Sequence, residues 1–145
     1  MKNAIDLLTE HGIRPSPQRV AIMDYLLCHK THPTVDNVYA AMLPNMPTLS
    51  KTTVYNTLKI LEEKGAIQVL NIDEKNAHYD AEETIHAHFL CQNCNKIFDI
   101  FFDKDRQEHI AGLTKTSNLK PFSITSTQIN YKGICPDCLK EKNSK

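Results

Sequence analysis

The segment TIHAHFLCQNC (residues 84–94) contains two histidines and two cysteines in a short stretch of chain. Two imidazoles and two thiolates could together form one zinc tetrahedron. A second cysteine pair occurs in CPDC (135–138), however, so the two pairs supply four thiolates by themselves. We therefore predict two separate metal sites, and the first is a structural zinc ion bound by Cys91, Cys94, Cys135 and Cys138.

The spacing of the cysteine pairs indicates what this zinc ion would do. Residues 95–134 separate them, so the metal would join the beginning of a domain to its end. Structural zinc can contribute on the order of 10 kcal/mol to folding, which suits a domain with few Leu and Ile residues. A thioredoxin-like dithiol is the alternative, but it requires a CxxC at a helix start after a βαβ strand, and that context is absent.

Composition favours a globular protein of the cytoplasm. The chain has 145 residues, 41% of them apolar, and it contains no apolar run of transmembrane length. Its first residues, MKNAIDLLTEHG, carry acidic groups where a signal peptide needs an apolar core. In a reducing compartment, paired cysteines are metal ligands or redox centres more often than disulfides. The fifth cysteine, Cys28, lies in an apolar helical pattern and is predicted to be a small core residue.

The two histidines are predicted to belong to a second metal site. A hairpin folded symmetrically about the centre of CQNC pairs His86 with Asp99 and His88 with Ile97. Because side chains alternate along a strand, His86, His88 and Asp99 would then project from one face. Three nitrogen and oxygen ligands leave a divalent metal incompletely coordinated.

Further ligands for this second site must come from elsewhere in the chain. His78 and Asp80 alternate onto one side of a strand that leads to a predicted hinge at residues 81–85. His32 lies between two predicted helices, in THPT. Taken alone, His32 and His78 are each more simply read as ordinary surface histidines, so these residues leave the complete ligand set open.

The first part of the chain is predicted to be helical. Ser16 before Pro17 is typical of a helix N-terminus, and Thr34 and Ser50 are N-cap candidates for two further helices. The last helix, in SKTTVYNTLKILEEKG, ends at Gly65 and is followed by two short strands around a polar turn. Three helices followed by a β-hairpin is the winged-helix order. Residues 1–82 are therefore predicted to form a winged-helix DNA-binding domain.

The third of these helices is the candidate DNA-binding element. Val54, Leu58 and Leu61 form an apolar stripe, and the opposite side contains an aromatic and an amide rather than a mixture of Glu and Lys. Such side chains can reach base edges and phosphates. The net charge is zero, so this prediction depends on the positions of a few residues. The predicted DNA contacts are Lys51, Thr52, Tyr55, Asn56 and Lys59, with Arg14 and Arg19 near the start of an earlier helix.

Residues 83–145 are predicted to form a separate small α+β domain. The segments HAHFLC, KIFDIFF and FSITSTQINYKGIC are strand-like, and RQEHIAGLTKTS is a weak helix between the second and the third. This domain contains both cysteine pairs and hence the predicted zinc. The predicted fold class is therefore α+β, with a winged helix followed by a smaller α/β domain.

Several segments together resemble the ferric uptake regulator family, and more closely its peroxide-sensing branch. GIRPSPQR, HPT, TTVYNTLKILEEKG, HYD, HAHFLCQNCNKIFD and CPDC occur in the family's order and spacing over nearly the whole chain. The resemblance implies a dimeric transcriptional repressor with an N-terminal winged helix and a C-terminal dimerisation domain. Its partners would be a second copy of the chain and a palindromic operator in double-stranded DNA.

The resemblance also implies the occupants of both metal sites. The four cysteines would hold structural zinc. In peroxide sensors of this kind, bound iron catalyses oxidation of a histidine ligand, which releases the metal and ends repression. His78 departs from the pattern, because this branch commonly carries a non-ligand such as arginine there, and it leaves an additional ligand open. The implied ligands of a regulatory iron(II) or manganese(II) ion are His32, Asp80, His86, His88 and Asp99.

Two alternatives remain open at the level of sequence. The same site could report the level of iron or zinc, although many iron-level regulators carry Glu where this chain has Asp99. An enzyme is the other alternative, since HxH with carboxylates occurs in metallohydrolases and CxxC in thiol oxidoreductases. The chain lacks a Gly-rich loop and an evident nucleophile, so we predict a regulator and not an enzyme.

Overall fold

The structure, a computed structural model, describes residues 2–143 of the chain. It divides into two compact units, an N-terminal unit, Met1–Glu83, and a C-terminal unit, Thr84–Lys145. None of the helices in the described part is long and apolar enough to cross a membrane.

The N-terminal unit contains four helices followed by a β-hairpin. The helices are α1 (Ala4–Glu10), α2 (Pro17–Cys28), α3 (Val35–Met42) and α4 (Lys51–Glu63), and the hairpin strands are β1 (Gln68–Leu70) and β2 (His78–Asp80). The side chains of Ser16, Thr34 and Ser50 each accept a hydrogen bond from a backbone amide in the first turn of the following helix, which confirms the three predicted N-caps. The order of elements is that of a winged helix, with β1 and β2 as the wing.

One hydrophobic core stabilises this unit. Val54, Leu58 and Leu61 of α4 are fully buried, as their helical spacing predicted. They belong to the same buried cluster as Ile22 and Leu26 of α2. Complete burial of such a side chain contributes roughly 1.5–3 kcal/mol relative to exposure. Burial of this face fixes α4 on its apolar side, so its polar side faces solvent.

The prediction that Cys28 is a core residue is wrong. Cys28 is exposed at the C-terminal end of α2, whereas Leu26 in the same turn is buried. Two residues along a helix correspond to a rotation of about 200°, so Cys28 lies nearly opposite Leu26.

The C-terminal unit consists of a small sheet and two helices. Its strands are β3 (His86–Cys91), β4 (Ile97–Phe101) and β5 (Asn130–Gly133), and its helices are α5 (Lys104–Leu113) and α6 (Pro136–Asn143). The sheet order is β4-β3-β5, with β3 antiparallel to β4 and parallel to β5. Together the two units give the predicted α+β class.

Two elements of this unit differ from their predictions. The segment at residues 122–135 was expected to be one long strand, but only Asn130–Gly133 is β-structure, because only that part pairs with β3. Helix α5 begins before the predicted RQEHIAGLTKTS segment. Asp103 accepts a hydrogen bond from the amide of Arg106 and caps the helix, which starts at Lys104.

Candidate functional site

Four cysteine sulfurs meet in the C-terminal unit. The Sγ atoms of Cys91, Cys94, Cys135 and Cys138 all lie within 4.8 Å of one another. The Sγ atoms of Cys91 and Cys138 are 3.8 Å apart, and those of Cys94 and Cys135 are 3.9 Å apart. A zinc ion with four bonds of about 2.3 Å to sulfur separates tetrahedral ligands by about 3.8 Å. The four residues therefore fit a closed zinc site, and all four thiols are free of disulfides.

Local backbone geometry explains how the cysteines converge. Cys91 ends β3, and the turn that follows brings Cys94 back, with the Cys94 amide donating to Cys91 Sγ at 3.4 Å. The amide of Cys135 donates to the same sulfur at 3.4 Å from the approach to α6. The Cys94 amide, followed by that of Cys135, lowers the pKa of the Cys91 thiol to about 6. A thiolate is thereby favoured at the position where a metal ligand must be deprotonated.

Three nitrogen and oxygen donors converge separately in the same unit. The Nε2 atoms of His86 and His88 are 3.0 Å apart, and they lie 3.2 and 3.4 Å from Asp99 Oδ1. Bonds of about 2.1 Å to one metal would separate neighbouring ligands by about 3.0–3.4 Å for octahedral to tetrahedral angles. The donor set fits a divalent metal that prefers imidazole and carboxylate.

A hydrogen bond sets the orientation of the first of these histidines. His86 Nδ1 lies 2.6 Å from the backbone oxygen of Thr84, which can only accept, so Nδ1 carries the proton. The lone pair of the neutral ring is consequently on Nε2, the atom that faces His88 and Asp99. This arrangement is the usual outer support of a metal-binding histidine.

The hairpin register differs from the predicted one. His88 lies opposite Asp99 and His86 opposite Phe101, a shift of two residues from the predicted pairs. The cause is a longer turn. The Cys91 amide bonds the Lys96 carbonyl, and Asn95 adopts the left-handed conformation with φ 63°. A shift of two residues keeps the same face, so the three donors still converge.

Two further residues of the predicted ligand set lie in the N-terminal unit. His32 and Asp80 are both buried, and a ligand nitrogen of the first lies within 4.8 Å of a carboxylate oxygen of the second. His32 has φ 58°, a left-handed conformation that is unusual for this residue type before a proline. The amide of Tyr79 donates to the carbonyl of Pro33 at 2.9 Å and holds this loop beside β2.

The polar side of α4 is exposed throughout. All five of its predicted DNA contacts are exposed: Lys51, Thr52, Tyr55, Asn56 and Lys59. The Arg19 guanidinium donates to the carbonyl of Arg14 at 3.0 Å, which places these two predicted contacts side by side.

An open groove adjoins this helix. It has a volume of about 470 Å³ and is lined by Lys51, Thr52 and Tyr55 of α4 and by Lys75 and Asn76 of the wing. The wing residues were not among the predicted contacts, since the sequence marked them only as a polar turn. Lys51 also forms an ion pair with Asp36 of α3, which the sequence did not predict.

Comparisons with known proteins agree with this architecture. The sequence model of the ferric uptake regulator family matches residues 10–131. The chain is 33% identical over 144 residues to the peroxide operon regulator of Bacillus subtilis (strain 168), covering 99% of this chain and 96% of that protein. The structure of PerR from Streptococcus pyogenes aligns over 94% of each chain, with 32% identity and a TM-score of 0.50. The ferric uptake regulator of Helicobacter pylori aligns over 96% of this chain and 97% of that chain, with 22% identity and a TM-score of 0.69, and supports the fold.

The chain belongs to the ferric uptake regulator family. Members of this family are DNA-binding transcriptional regulators. The chain is accordingly a transcriptional regulator and not an enzyme, and its exposed α4 lies in the N-terminal, DNA-binding unit.

Proposed function

We propose that this chain is a metal-dependent transcriptional repressor that senses peroxide through a regulatory metal site. The observation that carries the proposal is the convergence of His86, His88 and Asp99 apart from the four-cysteine cluster. One unit thus offers two donor sets of different chemistry. Similarity to the peroxide operon regulator of Bacillus subtilis supports peroxide as the signal.

The four-cysteine cluster is proposed to hold zinc for a structural purpose. Its ligands are Cys91, Cys94, Cys135 and Cys138, whose sulfur separations suit a tetrahedral ion. Zinc has no redox chemistry, so it can join the end of β3 to the start of α6 without taking part in the signal.

The regulatory ion is proposed to be iron(II) or manganese(II). Its ligands are His32, Asp80, His86, His88 and Asp99, a set of imidazoles and carboxylates that suits either metal. Bound iron would supply the one-electron chemistry that activates peroxide, which would transfer one oxygen atom to a histidine ligand and be reduced to water. An oxidised histidine is a poorer donor, so these residues would release the ion. Since the ligands belong to both units of the chain, occupancy would be linked to DNA binding.

DNA recognition is proposed to use the polar side of α4. Lys51, Thr52, Tyr55, Asn56 and Lys59 would enter the major groove, and Arg14 and Arg19 would contact phosphates. A homodimer would place two such helices on a palindromic operator, with half-sites about 34–36 Å apart. The site of action would be the cytoplasm.

A binding selection from random DNA tests this proposal and requires no defined operator. Zinc-loaded protein is mixed with a pool of random duplexes, with and without manganese(II), and the retained sequences are read. We expect a palindromic sequence to be enriched only with manganese, with an affinity about 5–150-fold higher than without it. Equal enrichment in both samples would contradict regulation by metal, and no enrichment would contradict sequence-specific binding.

A further inference from the structure

His78 is held at both ring nitrogens within the N-terminal unit. Its Nδ1 lies 2.7 Å from the backbone oxygen of His32, and its Nε2 lies 3.0 Å from Asp73 Oδ2. The side chain is only 16% exposed. Asp73 is in the wing turn, where its other carboxylate oxygen accepts a hydrogen bond from the amide of Lys75.

The chemistry of these partners argues against His78 as a metal ligand. A backbone carbonyl can only accept a hydrogen bond, so Nδ1 must carry a proton. The Nε2 atom faces a carboxylate, whose pKa is lowered first by its hydrogen bond with His78 and then by the Lys75 amide. Both ring nitrogens therefore face oxygen atoms of the protein, so neither is directed at a metal.

His78 instead holds the backbone of the loop that contains His32, one of the proposed metal ligands. His32 adopts φ 58°, which requires support from its surroundings. Two successive carbonyl groups provide it. The carbonyl of His32 accepts from the His78 ring, and that of Pro33 accepts from the amide of Tyr79. Both donors belong to β2, the strand that also carries Asp80.

We propose that His78 is a positioning residue for the regulatory metal site, which fixes the backbone of His32 relative to Asp80 and links it through Asp73 to the wing. This inference depends on the proposed regulatory site. Residues that orient metal ligands in this way typically contribute 10–100-fold to metal affinity. The sequence left open whether His78 is an additional ligand, and its two hydrogen bonds favour positioning over ligation.

Manganese(II) binding by the zinc-loaded protein tests the inference. His78→Ala is expected to weaken manganese binding about 10–100-fold at unchanged stoichiometry and zinc content. His78→Asn should restore much of the affinity, because its amide can donate to the His32 carbonyl from nearly the position of Nδ1. The control is His29→Ala, since the His29 ring also bonds a backbone carbonyl, that of Tyr25, but His29 is exposed at the C-cap of α2.

Electron spin-echo spectroscopy of bound manganese separates positioning from ligation. We expect the same number of coordinated histidine nitrogens in the original protein and in His78→Ala, and a loss of one nitrogen would overturn the inference. An unchanged manganese affinity in His78→Ala would also overturn it. If His78→Ala does not fold, Asp73→Asn is measured instead, because it keeps the acceptor for the Lys75 amide. This variant must still weaken manganese binding, though by less than the 10–100-fold expected for His78→Ala. Failure of the original protein to bind manganese would instead contradict the proposed function itself, and with it this inference.

Discussion

At the scale of single residues, the two donor sets differ in the chemistry that they permit. The four cysteine sulfurs lie within 4.8 Å of one another, and backbone amides favour the thiolate form of Cys91. The imidazoles of His86 and His88 face one carboxylate oxygen of Asp99. Sulfur ligands suit a structural zinc ion, whereas nitrogen and oxygen ligands suit an exchangeable divalent metal.

Replacement of His88 should impair the regulatory site and leave the zinc site intact. His88→Ala removes one imidazole from the regulatory set and none of the sulfurs, so we expect the fold and the zinc content to be unchanged. Enhancement of operator affinity by manganese, about 5–150-fold in the original protein, should be lost. Fluorescence anisotropy with a labelled operator measures this, and exposed His109 provides the control as His109→Ala. An affinity that still responds fully to manganese would remove His88 from the regulatory site.

At the scale of elements, sequence patterns predicted well where a structure depends on local chemistry. The caps at Ser16, Thr34 and Ser50 and the buried stripe of α4 follow from side-chain hydrogen bonds and helical periodicity. The register of β3 with β4 was missed, because it depends on the left-handed Asn95 in the turn rather than on the strands. The length of β5 was missed because β-structure requires a pairing partner, which a strand-like sequence does not reveal.

Helix α4 gives a prediction about DNA recognition. Tyr55 is 50% exposed on its polar side, and we expect Tyr55→Ala to weaken specific binding roughly 10-fold, or about 1.4 kcal/mol, with both metal contents unchanged. The control is Ile5→Ala, which removes a comparably exposed side chain from α1. Gel-shift titrations with operator and random DNA distinguish the possible roles. Equal losses on both DNAs would mean that Tyr55 contacts only the backbone.

The end of α4 gives a prediction about stability. Gly65 has φ 79°, so Gly65→Ala should lower the free energy of unfolding by about 1 kcal/mol. Gly112 lies inside α5, where an added Cβ meets nothing within 4 Å, so Gly112→Ala should raise it by about 0.5–1 kcal/mol. Urea unfolding of the zinc-loaded proteins measures both. If both substitutions changed the free energy of unfolding in the same direction, backbone conformation would not explain their effects.

At the scale of the whole molecule, a chain without net charge is expected to bind DNA by presenting a few residues in the right place. Ligand type and spacing in the sequence predicted the four cysteines and the group His86, His88 and Asp99, which the structure brings together. His32 and Asp80 were predicted as ligands only through the family resemblance, because they lie far from this group in the chain. The sequence did not reveal that His78 is held by His32 and Asp73, because those contacts join residues that are distant in the chain or lie across a turn.

Removal of one zinc ligand tests the structural role assigned to the cysteine cluster. Cys138→Ser should lose zinc and unfold or dissociate the C-terminal unit, because an incomplete site no longer joins β3 to α6. Cys28→Ser is the matched control, since Cys28 is exposed and lies outside the cluster, and it should retain zinc. Metal analysis with sedimentation measures both outcomes. A zinc-free Cys138→Ser protein that remains a folded dimer would refute a structural zinc.

The most direct measurement of peroxide sensing is peptide mass spectrometry of operator-bound protein, loaded with iron(II) or with manganese(II), after mild peroxide treatment. We predict one added oxygen on His32 or His86 in the iron form, together with release of the operator. The manganese form and the Asp99→Glu variant should show far less histidine oxidation. The four cysteines of the zinc site should stay largely unmodified. Oxidised cysteines with intact histidines would indicate a thiol switch, and operator binding that survives peroxide with no modified residue would contradict peroxide sensing.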